Sequence, residues 1–286
     1  MVLFSVDTAD PKDVLWLRER GIPIDKMTTN PTSKSKVMKR IRDEEGRTVS
    51  SFDVVDMLLD LTDCPISVET LGTPDYRPET MDPDIFVQEA ETIGKYDSRL
   101  VVKFPLVAPA LVAARALEGM YPVNFTLCFS AHQADLAADY GGTYVSPFLG
   151  RIVAELERDD EAEALLRGII EKYGKDLCST KVLAASIRNE EQLMMAAKYG
   201  ADVVTVPMNV IRDMYEAHGE GALAIIQDVR LRRSRRTVSS LWRPTYSKDF
   251  NYSEMQPWQR ELLDAGVRTF LDDARSVGYS VLPKAA

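Results

Sequence analysis

"LVVKFPLVAPALVAARALEGMYPVNFTLCFS" occupies residues 100–130. It opens with an apolar run, LVVKFP (100–105), continues with apolar residues at helical spacing in ALVAARALEGM (110–120), and closes with a second run, VNFTLCFS (123–130). Runs so short and so rich in Val, Leu and Phe read as strands buried on both faces, here joined by a helix. One feature resists that reading. Lys103 sits in the middle of the first run, where an ammonium costs several kcal/mol to bury unless something compensates.

The same unit recurs on either side. VLFSVD (2–7), DKMTTN (25–30), PISVET (65–70), GTYVSPF (142–148), KVLAASI (181–187) and ADVVTVP (201–207) bring the strand candidates to eight. Amphipathic segments separate them, among them DPKDVLWLRERG, PDIFVQEAETIGKY, AHQADLAADYG, EAEALLRGIIEKYG and EEQLMMAAKYG. Several end in Gly, the residue suited to a left-handed C-cap. Eight strand–helix repeats in 286 residues predict a single-domain (β/α)8 barrel over 1–286, of α/β class. A doubly wound open sheet is the alternative, but no GxGxxG follows the first strand and no GxxxxGK[ST] occurs. After the eighth strand the pattern breaks. Residues 218–257 read as an insertion holding a basic cluster, RLRRSRR (230–236), before a terminal helix over 258–277.

Composition narrows the function. No stretch approaches the roughly 18 apolar residues of a membrane span, and the N-terminus lacks the basic region of a signal peptide, so a cytoplasmic protein with no membrane partner is expected. The net charge of -9 argues against nucleic acid, and the basic cluster reads as a solvated helix end or loop. Cys64, Cys128 and Cys178 form no CxxC pair, and only His132 and His218 are present. Disulfide frameworks and His-rich metal sites are thereby disfavoured, and acid–base chemistry falls to carboxylates, Lys or Tyr.

A barrel carries its site at the C-terminal ends of its strands. The polar residues there are Asp7, Asn30, Glu69, Lys103, Asn124, Thr126, Ser146, Ser186 and Arg188, with Arg151 shortly after the sixth strand. Alternation puts Asn124 and Thr126 on one face, and likewise Ser186 and Arg188. Each has a structural alternative: Asp7 as a helix cap, Asn30 before Pro31 as a turn, the serines bonded to backbone, Lys103 with its head reaching water. Taken together, a carboxylate, an amide, a second carboxylate and a lysine end four successive strands. Apolar surroundings disfavour the ammonium and leave a free amine to attack a carbonyl, with Glu69 and Asp7 available to move protons. Arg151, Ser186 and Arg188 form a candidate phosphate fork, so a sugar phosphate fits the site.

SVDTAD, MTTNPT, VVKFP, VNFTLCFS, YVSPFLGRI and LAASIRN, in this order, resemble the transaldolase family, which includes the fructose 6-phosphate aldolases. The resemblance runs over about residues 2–215 and resumes at LLDAGVRTFLDDA. It implies a class I mechanism on the barrel, without cofactor or metal, in carbohydrate metabolism such as the pentose phosphate pathway. Lys103 would be the Schiff-base lysine and Asp7 the carboxylate exchanging a proton with the sugar hydroxyl. Glu69 and Thr126 would hold a proton-relaying water. Asn30, Asn124 and Ser146 would grip the dihydroxyacetone unit, and Arg151, Ser186 and Arg188 the phosphate.

Glu69 and Phe148 resemble the transaldolase branch, since the aldolases typically have Gln and Tyr there. Phe148 cannot protonate a bound enamine, which favours transfer from a ketose phosphate, such as sedoheptulose 7-phosphate or fructose 6-phosphate, to an aldose phosphate. A fructose 6-phosphate aldolase-like lyase, a transaldolase of a specialised pathway and a non-catalytic scaffold are the alternatives. KFPLVAPAL lacks the Thr and Gly usual after the lysine strand, and Ile187 stands where Phe is common. The resemblance also implies a homo-oligomer, the terminal helix packing on a neighbour in some members.

Overall fold

The computed structural model describes residues 1–73, 81–233 and 236–282. Its eight strands form one closed parallel barrel in chain order. They are β1 (Leu3–Asp7), β2 (Lys26–Thr28), β3 (Ile66–Glu69), β4 (Leu100–Pro105), β5 (Val123–Cys128), β6 (Tyr144–Pro147), β7 (Lys181–Ala184) and β8 (Val203–Pro207). Each falls within one of the apolar runs read above. β8 pairs with β1 from Leu3–Val203 to Asp7–Pro207, and that closure rules out the open sheet.

Helices α1 (Pro11–Glu19), α2 (Pro31–Glu45), α3 (Ser51–Leu59), α4 (Pro83–Tyr96), α5 (Ala108–Leu117), α6 (Ala131–Asp139), α7 (Leu149–Leu156), α8 (Asp159–Lys175), α9 (Glu190–Tyr199), α10 (Met208–His218), α11 (Gly221–Leu231) and α12 (Pro257–Arg275) complete the chain. Their starts are written locally. Asp10, Asn30 and Asp82 accept a backbone N–H at the caps of α1, α2 and α4, each followed by Pro. Gly200 ends α9 at φ 89°, as its position suggests, whereas Gly174 lies inside α8, which continues to Lys175.

Register sets the direction of the side chains. Asp7 lies opposite Thr28, Glu69 opposite Lys103, and Lys103 opposite Asn124. Residues level with one another on parallel strands share a face, so these side chains all enter the barrel.

The segment read as an insertion contains α11, which packs on α10 and β1. At the end of α11, the carbonyl of Arg232 accepts from Val2 N at the N-terminal end of the barrel. From there an irregular strap climbs the outside. Arg236 pairs with Asp202 at 2.6 Å and donates to the carbonyls of Cys178 and Thr180. Asp139, at the lower end of α6, accepts from Ser247 N and Lys248 N. His132, in the first turn of α6, meets Glu254 at 3.0 Å. The strap thus lifts the chain from one face of the barrel to the other, where α12 crosses the mouth against α2 and β5. Arg230 and Arg232 of the basic cluster are spent on Asp25 and Asp228. Ser234 and Arg235 lie outside the described residues.

Candidate active site

Lys103 comes from the middle of β4 and is 4% exposed, so its ammonium does not reach solvent by snorkelling. Its compensation is internal. Nζ stands 2.6 Å from Glu69 Oε1 and donates to the carbonyl of Thr29 at 3.0 Å. Glu69 is itself 1% exposed. Burial raises its pKa to about 7 against the pull of Lys103 and then Lys34, with Asp7 pushing it further up.

Asp7 ends β1 and does not cap α1, whose cap is Asp10. Its Oδ1 accepts from Thr28 Oγ1 at 3.0 Å and from Asn30 Nδ2 at 3.3 Å. Burial raises its pKa, while Lys103, these two donors and Arg188 lower it. Asn30 has two duties: its Oδ1 caps α2 by accepting from Ser33 N at 2.8 Å, which aims its amide at Asp7. Asn30 is thus the extended N-cap of α2 rather than a turn residue, and it lines the cleft from that position.

On the next strands, Ser146 Oγ donates to Asn124 Oδ1 at 2.7 Å, and Asn124 Nδ2 donates to Ser67 Oγ at 3.3 Å. This fixes the Asn124 amide. Thr126 and Glu69 line a small adjoining cavity of about 10 Å³, the room one water takes, closed by Val267, Phe270 and Leu271 of α12.

A cleft of about 240 Å³ at this site is lined by Asp7, Asn30 and Lys103, by Arg151, Ser186 and Arg188 from the segments after β6 and β7, and by Ser146 and Phe148. Neither guanidinium has a carboxylate partner among the described residues. Burial and then Arg188 push the pKa of Arg151 down, as expected of two like charges facing one space. An anion placed there would relieve both. Ser186 takes a left-handed φ of 59°, held by its carbonyl accepting from Gly150 N at 3.0 Å. A Cβ on Gly150 would stand 2.1 Å from that carbonyl oxygen, so the approach depends on Gly.

All eleven residues singled out from the sequence thus lie in the cleft, the adjoining cavity or the hydrogen-bonded wall between them. Besides the apolar Leu183, Ala185 and Pro207, the sequence reading missed three threonines and a phenylalanine of the cleft. Thr28 sits two residues before Asn30 and Thr205 two before Pro207, so strand alternation offered a signal for both. Thr32 and Phe270 enter through α2 and α12, where no local pattern marks them. Behind the site, Lys34 and Tyr279 are also buried. Among the described residues no group of His, Cys, Asp and Glu is arranged to hold a metal ion, and no helix is long and apolar enough to cross a membrane.

The chain matches the family described as Transaldolase/Fructose-6-phosphate aldolase over residues 4–281. Among similar curated proteins, the "Probable transaldolase" of Hyphomonas neptunium is 37% identical over 216 residues, covering 74% of this chain and 88% of that one. The "Probable transaldolase" of Jannaschia sp. is 38% identical over 213 residues with the same coverage. That of Caulobacter vibrioides is 36% identical over 218 residues, again 74% and 88%.

Proposed function

The chain belongs to the transaldolase/fructose-6-phosphate aldolase family of aldolase-type enzymes, and on that premise we propose that it is a transaldolase working through a Schiff base on Lys103. The observation that carries this reading is one cleft shared by a buried lysine, itself paired with Glu69, and by two guanidiniums that have no carboxylate partner among the described residues.

In the proposed reaction, Arg151, Ser186 and Arg188 hold the phosphate of a ketose donor, and Asn30, Asn124 and Ser146 hold its dihydroxyacetone end. The Lys103 amine attacks the ketone carbon. Glu69, with Thr126 and a relaying water, moves the protons that let the carbinolamine lose hydroxide as water and become an iminium. Asp7, its pKa raised by burial, takes the proton of the hydroxyl beyond the scissile bond. The carbon–carbon bond breaks, its electron pair flows to the iminium nitrogen, and an aldose phosphate leaves. The enamine then attacks the aldehyde of an incoming aldose phosphate, and the steps run in reverse. Phe148, lining the cleft, offers no proton to the enamine, which supports transfer over release.

The test is borohydride reduction in the presence of fructose 6-phosphate, followed by mass spectrometry. A dihydroxyacetone adduct on Lys103 is expected, and its absence would refute the assignment for this donor. Turnover of fructose 6-phosphate should require erythrose 4-phosphate; rapid cleavage without an acceptor would mark a lyase instead.

A further inference from the structure

Lys34 lies in the first turns of α2, one residue past the Ser33 that Asn30 caps, and it is fully buried. No carboxylate of the described residues lies within ion-pair distance of it. Its Nζ donates to Tyr279 Oη at 2.6 Å and stands 4.4 Å from the centre of the same ring. Tyr279 follows α12 and is 6% exposed, and its Oη donates to the backbone carbonyl of Glu69 at 3.2 Å. The end of the chain therefore joins Lys34 to the residue that faces Lys103.

Packing alone does not require an ammonium here, because an unbranched apolar side chain fills similar space without the loss of hydration. The charge has an electrostatic audience. Glu69 on β3 is faced by Lys103 on β4, Asp7 on β1 and Lys34 on α2. Lys34 is faced by Glu69, Lys103 and Glu89 of α4. The carboxylate of Glu89 is already held by Leu71 N and Gly72 N, at 2.7 and 2.8 Å. Burial lowers the pKa of Lys34 to about 8, which leaves the ammonium as its main form at neutral pH.

We propose that Lys34 is a positioning residue of the site, a constant cation that keeps Glu69 ionised while Lys103 is neutral, with Tyr279 as the strut that aims it. The inference rests on the Schiff-base reading above. In that chemistry the Lys103 nitrogen alternates between positive iminium and neutral enamine, and in the enamine Glu69 loses its strongest positive neighbour. A Glu69 that then took up a proton would stand as an acid beside the nucleophilic enamine carbon. Handing that proton to the carbon regenerates a ketone iminium, and its hydrolysis frees dihydroxyacetone. The fixed charge on Lys34 opposes this loss and holds the intermediate for an aldehyde.

The test uses the full chain carrying Lys34→Met, Lys34→Arg or Tyr279→Phe, each first checked for the borohydride adduct on Lys103. In Lys34→Met the acid limb of the kcat–pH profile should move up by about one unit, a tenfold change in the Glu69 equilibrium. Donor cleavage without acceptor should rise several-fold while the donor KM holds. Lys34→Arg should keep the acid limb in place even at lower kcat. An unmoved acid limb in Lys34→Met, or the same shift in Lys34→Arg, overturns the proposal. If Lys34→Met does not fold, Tyr279→Phe carries the test: it removes the acceptor of the Lys34 hydrogen bond but keeps the ring, and must shift the limb in the same direction. No adduct in the unsubstituted protein would instead defeat the Schiff-base reading, and this inference with it.

Discussion

Lys103 Nζ lies 2.6 Å from Glu69 Oε1, with neither residue more than 4% exposed. The strand lysine is thus matched by a carboxylate on the adjacent strand, level with it in the register. Neither group can be changed without leaving the other buried and unmatched.

Lys103→Met should abolish turnover and the borohydride adduct. Breaking a buried pair costs about 3–5 kcal/mol when the remaining charge cannot escape. Glu69, with its pKa already raised to about 7, escapes by taking a proton at low pH. The variant should therefore lose less stability at pH 6 than at pH 8 in urea unfolding, and equal losses would contradict a Glu69 that titrates near neutrality.

Arg188→Ala removes one side of the proposed phosphate grip. Charge-assisted hydrogen bonds of this kind contribute about 1.5–3 kcal/mol, so the KM for a phosphorylated donor should rise about 10- to 100-fold. Because the grip acts in ground and transition states alike, kcat should change little. Steady-state kinetics with an unchanged KM would remove Arg188 from that role.

Phe148→Tyr places a hydroxyl in the wall of the cleft, on a ring whose centre lies 5.4 Å from the Arg151 guanidinium carbon. A new acid near the enamine should raise acceptor-free release of dihydroxyacetone by about tenfold or more, the low end of what a placed proton donor supplies. A coupled assay without aldehyde reads this directly; no increase would mean that the ring does not face the enamine carbon.

Gly150→Ala sets a Cβ 2.1 Å from Ser186 O and 2.4 Å from Arg188 Cγ. Relief requires movement of the strained Ser186 backbone, at a cost of about 1–3 kcal/mol. The unfolding midpoint should fall, and the KM for phosphorylated donors should rise because the same shift displaces Arg188. A lower midpoint with unaltered KM would separate the packing from the grip.

Lys26 is buried inside the barrel with its Nζ 4.3 Å from the centre of the Tyr144 ring and no hydrogen-bond partner among the described residues. Burial lowers its pKa from 10.5 to about 7. Between those values the unfolded chain binds the extra proton, so this residue makes stability rise with pH, by up to about 1.4 kcal/mol per unit. Lys26→Met should be more stable at pH 7 by about 1–4 kcal/mol, with the advantage shrinking toward pH 9.5. Urea unfolding at pH 7 and pH 9.5 checks this, and a constant advantage would argue against a buried neutral amine.

From the sequence alone came the barrel and the inward faces of its strands, though β2 and β7 stop at Thr28 and Ala184, before Asn30, Ser186 and Arg188, and Lys103 lies inside β4 rather than at its end. Eight short apolar runs can be buried on both faces only inside a shell of helices, and strand alternation then sends Asp7, Glu69, Lys103 and Asn124 to one interior. These facts are periodic, so they are legible locally. The roles of Lys34, Phe270 and Tyr279 are not, because each depends on where a distant segment comes to rest. Helical spacing with Val37, Met38 and Ile41 sets Lys34 apart from Lys36 and Lys39 and marks it for the buried face of α2, but no local pattern shows that its ammonium meets Tyr279 there. Only the path of the strap up the outside of the barrel brings residues 263–281 across its mouth. The sequence thus determined which chemistry the strands carry. The tertiary structure decided what surrounds it, since burial and long-range charge are properties of contacts between segments far apart in the chain.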